Sequence, residues 1–379
     1  MCANEARRDR SAHAAPACFH RGGYNRTIMI TTRLLRRPRV LVVGCGDVGL
    51  RAARMLLAGV ARPRVIALTS RPERAAVLRA AGVTPIVGDL DAARSLRRLA
   101  GLAPTVLHLA PPPQRGDDDP RTRALIAALT ARRPITRARV MPGLSPGTSF
   151  RARASLRRLR PPDPHGGSRQ AAIVAEGGAA AAPRRLPRVV YASTTGVYGD
   201  CAGALIDETR PARPLNARAK RRVSAERQLR RATARGALAA SIVRIPGIYA
   251  AERLPLARIE RGMPALVDED DVYTNHIHAD DLAEILLRAV ARAGTARIIH
   301  ASDDTVLKMG AYFDRVADAF GLARVPRITR VAAQSELEPL SLTFMSESRR
   351  LANQRLKREL RVTLRYPTVD DFLATVRTR

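Results

Sequence analysis

The sequence predicts an α/β fold: a doubly wound parallel sheet followed by a smaller C-terminal α/β lobe. Three observations carry that expectation. Short runs of branched aliphatic residues alternate with helical stretches, which requires crossover connections and hence parallel strands covered on both faces. The first run ends in a Gly-x-Gly-x-x-Gly turn that leads straight into a helix. Beyond Pro246 the rhythm shortens and becomes irregular, as a second lobe on the carboxyl edge of the sheet would.

Arg39–Val43 reads as a buried strand, and Gly44, Gly46 and Gly49 follow it, with Asp47 and Val48 between the last two glycines. One glycine turns the chain off the strand, one lets backbone approach a pyrophosphate, and one lets the helix pack closely. The helix N-terminus then offers free N–H groups to phosphate, which is the Rossmann arrangement for a dinucleotide. Arg64–Thr69 is a second strand, and Ser70 with Glu73 forms a capping-box start for a helix over 72–81. A strand over 84–88, a helix over 91–100, a strand over 105–110 and a helix over 120–131 continue the series. The rhythm resumes with a strand over 188–193, a helix over 215–235 and the strand Ala239–Ile245. Later come a helix capped by Asp280 and ending near Arg292, a strand over 297–300 and a helix over 308–320.

Two segments stand outside the pattern. Residues 1–37 form a basic N-terminal extension, and 132–186 an Arg-, Pro- and Gly-rich insertion with no sustained period, read as disordered. The dinucleotide domain is thereby split into 38–131 and 187–250, with 251–379 mostly substrate lobe and some elements returning to the sheet. The insertion joins a helix end to a strand start, at the rim opposite the one where ligands bind.

The formal charge of +32 invites a nucleic-acid reading, but 63 of the 66 basic residues are Arg, a compositional bias rather than a basic face. Residues 1–38 carry eight Arg against two acids and 131–187 carry twelve against two, half of the net charge, and aromatics for base stacking are only 3% of the chain. No specific nucleic-acid partner is expected. Cys2, Cys18, Cys45 and Cys201 show neither metal-ligand spacing nor a paired framework, so a reducing, cytoplasmic setting and no metal are expected. No apolar run reaches the roughly 18 residues of a membrane span. The Arg-rich start lacks an apolar signal core, Glu5 and Asp9 weaken a mitochondrial-type leader, and a start nearer Met29 accounts for it equally well.

Several stretches in order resemble the NAD-dependent epimerase/dehydratase family, within the extended and atypical short-chain dehydrogenase/reductases. They are the glycine turn, Gly88-Asp89-Leu90, Ser193-Thr194-Thr195-Gly196-Val197-Tyr198-Gly199, Arg244-Ile245-Pro246-Gly247-Ile248-Tyr249, His276-Ile277-His278-Ala279-Asp280-Asp281-Leu282 and the helix at 353–360. The resemblance implies a cofactor site at Gly44, Gly46, Asp47, Val48, Gly49, Ser70, Arg71, Asp89, Leu90, Leu109, Ala110 and Pro246. It also implies a catalytic Ser or Thr at Thr194. The family's Tyr-x-x-x-Lys pair, counted back from Glu226, falls on Arg218 and Arg222. A guanidinium in place of the Tyr cannot give up a proton at neutral pH, so the standard relay is absent. Arg222 is left to orient the nicotinamide ribose. Tyr198 and Tyr249 read first as packing residues, and either hydroxyl is an alternative proton source; Tyr249 joins Thr194 and Arg222 as a catalytic candidate. His276 and His278 flank a helix start without a third metal ligand.

No acid closes the second strand, where NAD sites place one for the ribose 2′-OH; Thr69-Ser70-Arg71 stands there, with Arg74 a turn later. NADP is therefore favoured over NAD. The expected function is an NAD(P)-dependent oxidoreductase or epimerase acting on a sugar-nucleotide-like or small carbonyl substrate. The alternative is a catalytically weak or inactive NADP-binding redox sensor or scaffold. The expected partners are a small-molecule substrate and, at most, a second copy of the chain.

Overall fold

Alternation along β1 (Arg39–Val43) sends Val40 and Val42 to one side of the sheet and Leu41 and Val43 to the other. In the computed structural model, which describes residues 37–131 and 186–377, both sides are covered. β1 leads into α1 (Asp47–Ala58), β2 (Arg64–Thr69), α2 (Arg74–Ala80), β3 (Thr84–Val87), β4 (Thr105–His108) and α3 (Pro120–Thr130). Then follow β5 (Arg188–Thr194), α4 (Ala217–Ala234), β6 (Ala239–Ile245), α5 (Ala279–Arg292), β7 (Ile298–His300) and α6 (Met309–Phe320). The seven strands are all parallel, in the order β7-β6-β5-β4-β1-β2-β3. This is the doubly wound Rossmann order, which reverses direction between β1 and β4 and opens a ligand crevice outside their carboxyl ends.

α1 and α5 pack together over the side that carries Val40, Val42, Val190 and Val243. α3 and α4 cover the other, over Leu41, Val106, Val189 and Ile242. The second lobe is built from short paired strands and α6. Gly247–Tyr249 pairs parallel to His276–His278, and Ala265–Leu266 pairs parallel to Arg327–Ile328. Its apolar centre gathers Tyr249, Ile259, Phe313, Val316 and Phe372.

Local structure departs from the sequence reading in three places. The stretch expected as a helix over 91–100 is a 3-10 helix, Ala93–Leu99. Its buried Leu96 and Leu99 are three apart, the 3-10 repeat, and Ser95 Oγ bonds the backbone of Asp89 and Ala92 instead of leaving the chain to wind as an α-helix. Ser70 does not cap α2. The turn 71–75 closes through backbone bonds from Arg74 N to Arg71 O and Ala75 N to Pro72 O, so the helix begins after Glu73 without a side-chain cap. Asp280 does not cap α5 either; the cap is His278, whose Nδ1 accepts from Asp280 N at 3.2 Å. Residues 1–36 and 132–185, where the extension and insertion were expected, lie outside the described residues.

Candidate active site

The three glycines have three different reasons. Gly44 adopts φ +84°, and a Cβ there would stand 2.5 Å from the backbone nitrogen of Ala110, so the exit of β4 forces glycine at this turn. Gly49 has Gly44 O at 3.1 Å and Val42 Cγ1 at 3.3 Å from where its Cβ would be, a close helix-on-strand packing. Gly46 faces open space, with nothing within 4 Å. It is also the N-cap of α1 and supplies no side chain to that helix's first N–H groups. An open approach to uncapped N–H groups is what a pyrophosphate needs.

The other expected cofactor residues follow the same rim. Val48 is half-buried against the core beside the loop. Leu109 N donates to Val43 O at 2.8 Å, holding Leu109-Ala110 against the glycine turn. Asp89 follows β3, where its Oδ1 accepts from Asp91 N at 3.0 Å and Leu90 packs on the core. At the end of β2, Thr69 Oγ1 accepts from Arg71 N at 3.2 Å, while Ser70 and Arg71 are exposed. Cys45 lies buried inside the loop; burial pushes its thiol up to about 11 although Arg74 nearby opposes this.

Beyond the ends of β5 and β6 opens a cleft of about 640 Å³. Thr194, Asn216, Arg218, Pro246, Arg253, His276, Tyr312, Glu347 and Arg349 are in its wall. Thr194 Oγ1 accepts from Gly196 N at 3.4 Å, so it caps the turn and still faces the cleft. Arg218 is exposed to the cleft, and its pKa is lowered first by desolvation and then by Arg222 and Arg221. Glu347 is held between Asn216 Nδ2 at 3.2 Å and Arg349 Nη1 at 2.9 Å. Three guanidinium groups, of Arg218, Arg253 and Arg349, line the wall, and of these Arg349 pairs with Glu347. His276 stacks on Tyr312 with ring centres 4.3 Å apart, and its Nδ1 is buried without a hydrogen-bond partner. Burial pushes His276 down to about 4, so the ring is neutral at physiological pH.

Behind the cleft a polar core braces β5 against β6. Ser193 Oγ donates to Glu226 Oε1 at 2.7 Å, and Arg244 binds both oxygens of Glu226 at 3.1 and 2.7 Å. Arg222 Nη1 donates to Ala192 O and to the Tyr191 hydroxyl. Arg222 is thus tied to β5 and is not in the cleft wall.

Neither tyrosine offered as a proton source reaches the cleft. Tyr198 is buried with its hydroxyl against His300 Nε2 and its ring under Arg244. Tyr249 is 1% exposed, enclosed by His276, His278 and Phe372, and its hydroxyl donates to Thr368 O at 3.4 Å. Ile248 lines the cleft, and strand alternation turns Tyr249 away from it. The packing reading of both is the one the geometry matches.

The sequence reading did not find Glu347, Arg349, Asn216 or Arg253. None belongs to a motif, and Arg349 arrives only because Arg350–Leu351 pairs with Leu205–Ile206 across a long stretch of chain. Among the described residues no three His, Cys, Asp or Glu are grouped to hold a metal ion, and no helix is long and apolar enough to cross a membrane.

The sheet order, glycine turn and cleft at the carboxyl ends define a doubly wound Rossmann fold. Residues 173–301 match the NAD dependent epimerase/dehydratase family, and residues 40–136 match the TrkA-N domain. About a third of the chain is thus similar to the NAD dependent epimerase/dehydratase family. No curated protein matches the sequence. Solved structures share the fold. A functionally unknown conserved protein from Silicibacter pomeroyi is 24% identical with a TM-score of 0.65, over 90% of this chain and 98% of that one. A dTDP-glucose 4,6-dehydratase from Streptomyces venezuelae, solved with NAD bound, is 19% identical with a TM-score of 0.62, over 90% and 96%. A nucleoside-diphosphate-sugar epimerase from Pseudomonas aeruginosa is 16% identical with a TM-score of 0.61, over 89% and 95%.

Proposed function

We propose that the protein binds a nicotinamide dinucleotide on the glycine turn and takes a nucleoside-diphosphate-sugar-like anion in the cleft. The cleft wall carries this reading: Arg218, Arg253 and Arg349 line it beside Thr194 and Pro246, with Glu347, paired to Arg349, as the carboxylate among them. Such a surplus of guanidinium suits a diphosphate, which Arg binds through paired N–H donors. The solved relatives bound to NAD with UDP-glucose, or named as sugar-nucleotide enzymes, support the same classes. Gly46 leaves room for the cofactor's phosphates and the uncapped start of α1 supplies donors. Arg71, exposed just past the end of β2, where Thr69 and Ser70 stand in place of a strand-closing acid, favours NADP over NAD.

When bound, a nicotinamide supplies a hydride acceptor or donor at a substrate carbon. Thr194 then holds the substrate oxygen at the mouth of β5. Arg218 orients an anionic group and cannot serve as the acid. Incubation with NADP or NAD and a panel of UDP- and dTDP-sugars, followed by proton NMR, tests the reading. Dinucleotide binding with only slow formation of a new sugar isomer or oxidised product over long incubation is the expected result; an unchanged panel together with no dinucleotide binding would end it.

A second reading has its own observation. Arg222, at the family's Lys position, is spent on Ala192 O, and both alternative tyrosine hydroxyls are buried away from the cleft. A protein that binds NADP and senses its redox state without turnover fits those facts. Dinucleotide binding without hydride exchange on any sugar nucleotide would select it.

A further inference from the structure

Asp47 is an awkward neighbour for an anion. It lies in the first turn of α1, next to Gly46, and a carboxylate there repels the dinucleotide phosphates proposed to sit on the same turn. Two guanidinium groups offset it. Arg51 Nε donates to Asp47 Oδ1 at 2.7 Å, and Arg253 Nε donates to Asp47 Oδ2 at 2.9 Å.

The two arginines are not equivalent. Arg51 comes from α1 and is divided among three acids, since it also pairs with Asp280 at 2.6 Å and with Glu252. Arg253 ends the short 3-10 helix Ala251–Arg253 that follows Tyr249, in the other lobe, and also lines the cleft wall. One cation therefore touches the glycine-loop carboxylate and the substrate cleft at once. With its side chain 36% exposed, it has free N–H donors for a ligand on either side.

We propose that Arg253 completes the dinucleotide-phosphate subsite from the second lobe, screening Asp47 and serving as the cation shared by the cofactor and substrate sides. The inference rests on the dinucleotide reading above. It makes Arg253 a binding residue for both cofactors alike, unlike Arg71, which would act on the 2′-phosphate alone.

Titration calorimetry with NADPH and NADH on the full chain tests it. Heat of binding from the unaltered protein tests the dinucleotide reading; its absence with both cofactors ends that reading and this inference with it. Given binding, Arg253→Ala is expected to weaken both dinucleotides about three- to fivefold, the upper scale of a partly exposed charge contact. Arg253→Lys should lose less than Arg253→Ala. Adding Asp47→Asn to Arg253→Ala should recover most of the loss, because the unscreened carboxylate is gone. Binding by Arg253→Ala within twofold of the unaltered protein overturns the proposal. So does a double variant no tighter than Arg253→Ala, since a merely structural role predicts no rescue. If Arg253→Ala does not fold, Asp47→Asn alone decides: equal or tighter binding supports the screening role, and weaker binding overturns it.

Discussion

Arg222 Nη1 lies 2.5 Å from the carbonyl oxygen of Ala192, so the side chain at the family's Lys position is fastened to β5. Four residues earlier, Arg218 faces the cleft, at the position that the resemblance to the epimerase/dehydratases pairs with that family's Tyr. Binding and chemistry should therefore come apart. The unaltered protein is expected to bind dinucleotide normally and to turn over ordinary sugar nucleotides near background. Converting Arg218→Tyr together with Arg222→Lys should raise the rate, since a positioned general acid contributes about 10²–10⁴-fold. Stopped-flow absorbance of the reduced nicotinamide measures it. A rate that does not move would show that more than the relay is missing. Turnover of several per second by the unaltered chain would instead require another proton source, and His276 and Tyr312 in the wall would be the first to replace.

Cofactor preference is a separate measurement. Arg71→Ala should weaken NADPH about tenfold and leave NADH unchanged, the size of one charge-assisted contact. Equal affinities of the unaltered protein for NADPH and NADH would remove the argument for NADP.

The buried pair Glu226–Arg244 should dominate the stability of the β5–β6 region. Both side chains are 3% exposed, and Glu226→Ala would leave the Arg244 guanidinium buried without its counter-ion. A loss of about 3–5 kcal/mol is expected in urea unfolding, against a much smaller loss for an exposed pair such as Arg123–Asp118. Comparable effects at the two sites would refute the ranking.

Stability should fall in mild acid. His108, His276 and His300 are pushed down to about 3, 4 and 4, chiefly by burial, whereas the unfolded chain protonates its imidazoles near 6.5. Their contribution is present above about pH 6.5 and is lost as the pH drops from there toward 4, because the unfolded state binds the extra protons. Asp303 acts in the opposite direction. Burial raises its carboxyl to about 7, so the native protein loses stability as pH rises from the unfolded value of about 3.9 to about 7. Asp303→Asn should thus gain more over the unaltered protein at pH 8 than at pH 5, read as the difference in urea midpoints. An equal gain at both pH values would argue that the carboxyl titrates normally.

How far the sequence could be read follows from the range of the forces involved. The strands of the sheet were legible because burial on both faces leaves runs such as Arg39-Val40-Leu41-Val42-Val43 that nothing else explains. Gly44, Gly46 and Gly49 were legible because strand, turn and helix are adjacent in the chain. Ser95 is a local competition that a helical pattern hides, and it turned an expected helix into a 3-10 segment. Glu347 and Arg349 were not legible, because their partners Asn216 and Gly199 stand far away in sequence and only tertiary pairing brings them to the cleft. Tyr249 misled because a matching motif position says nothing about which side of a short strand a ring will take.

The sheet separates two kinds of freedom. Gly44, Arg71, Asp89, Ala110, Thr194 and Pro246 all follow or end strands at one rim, while α3 ends and β5 begins at the other. Ala131, just past the end of α3, and Leu186, just before β5, therefore both stand at the far rim, so an epitope or fluorescent reporter spliced next to either is attached on the side away from Gly46 and Thr194.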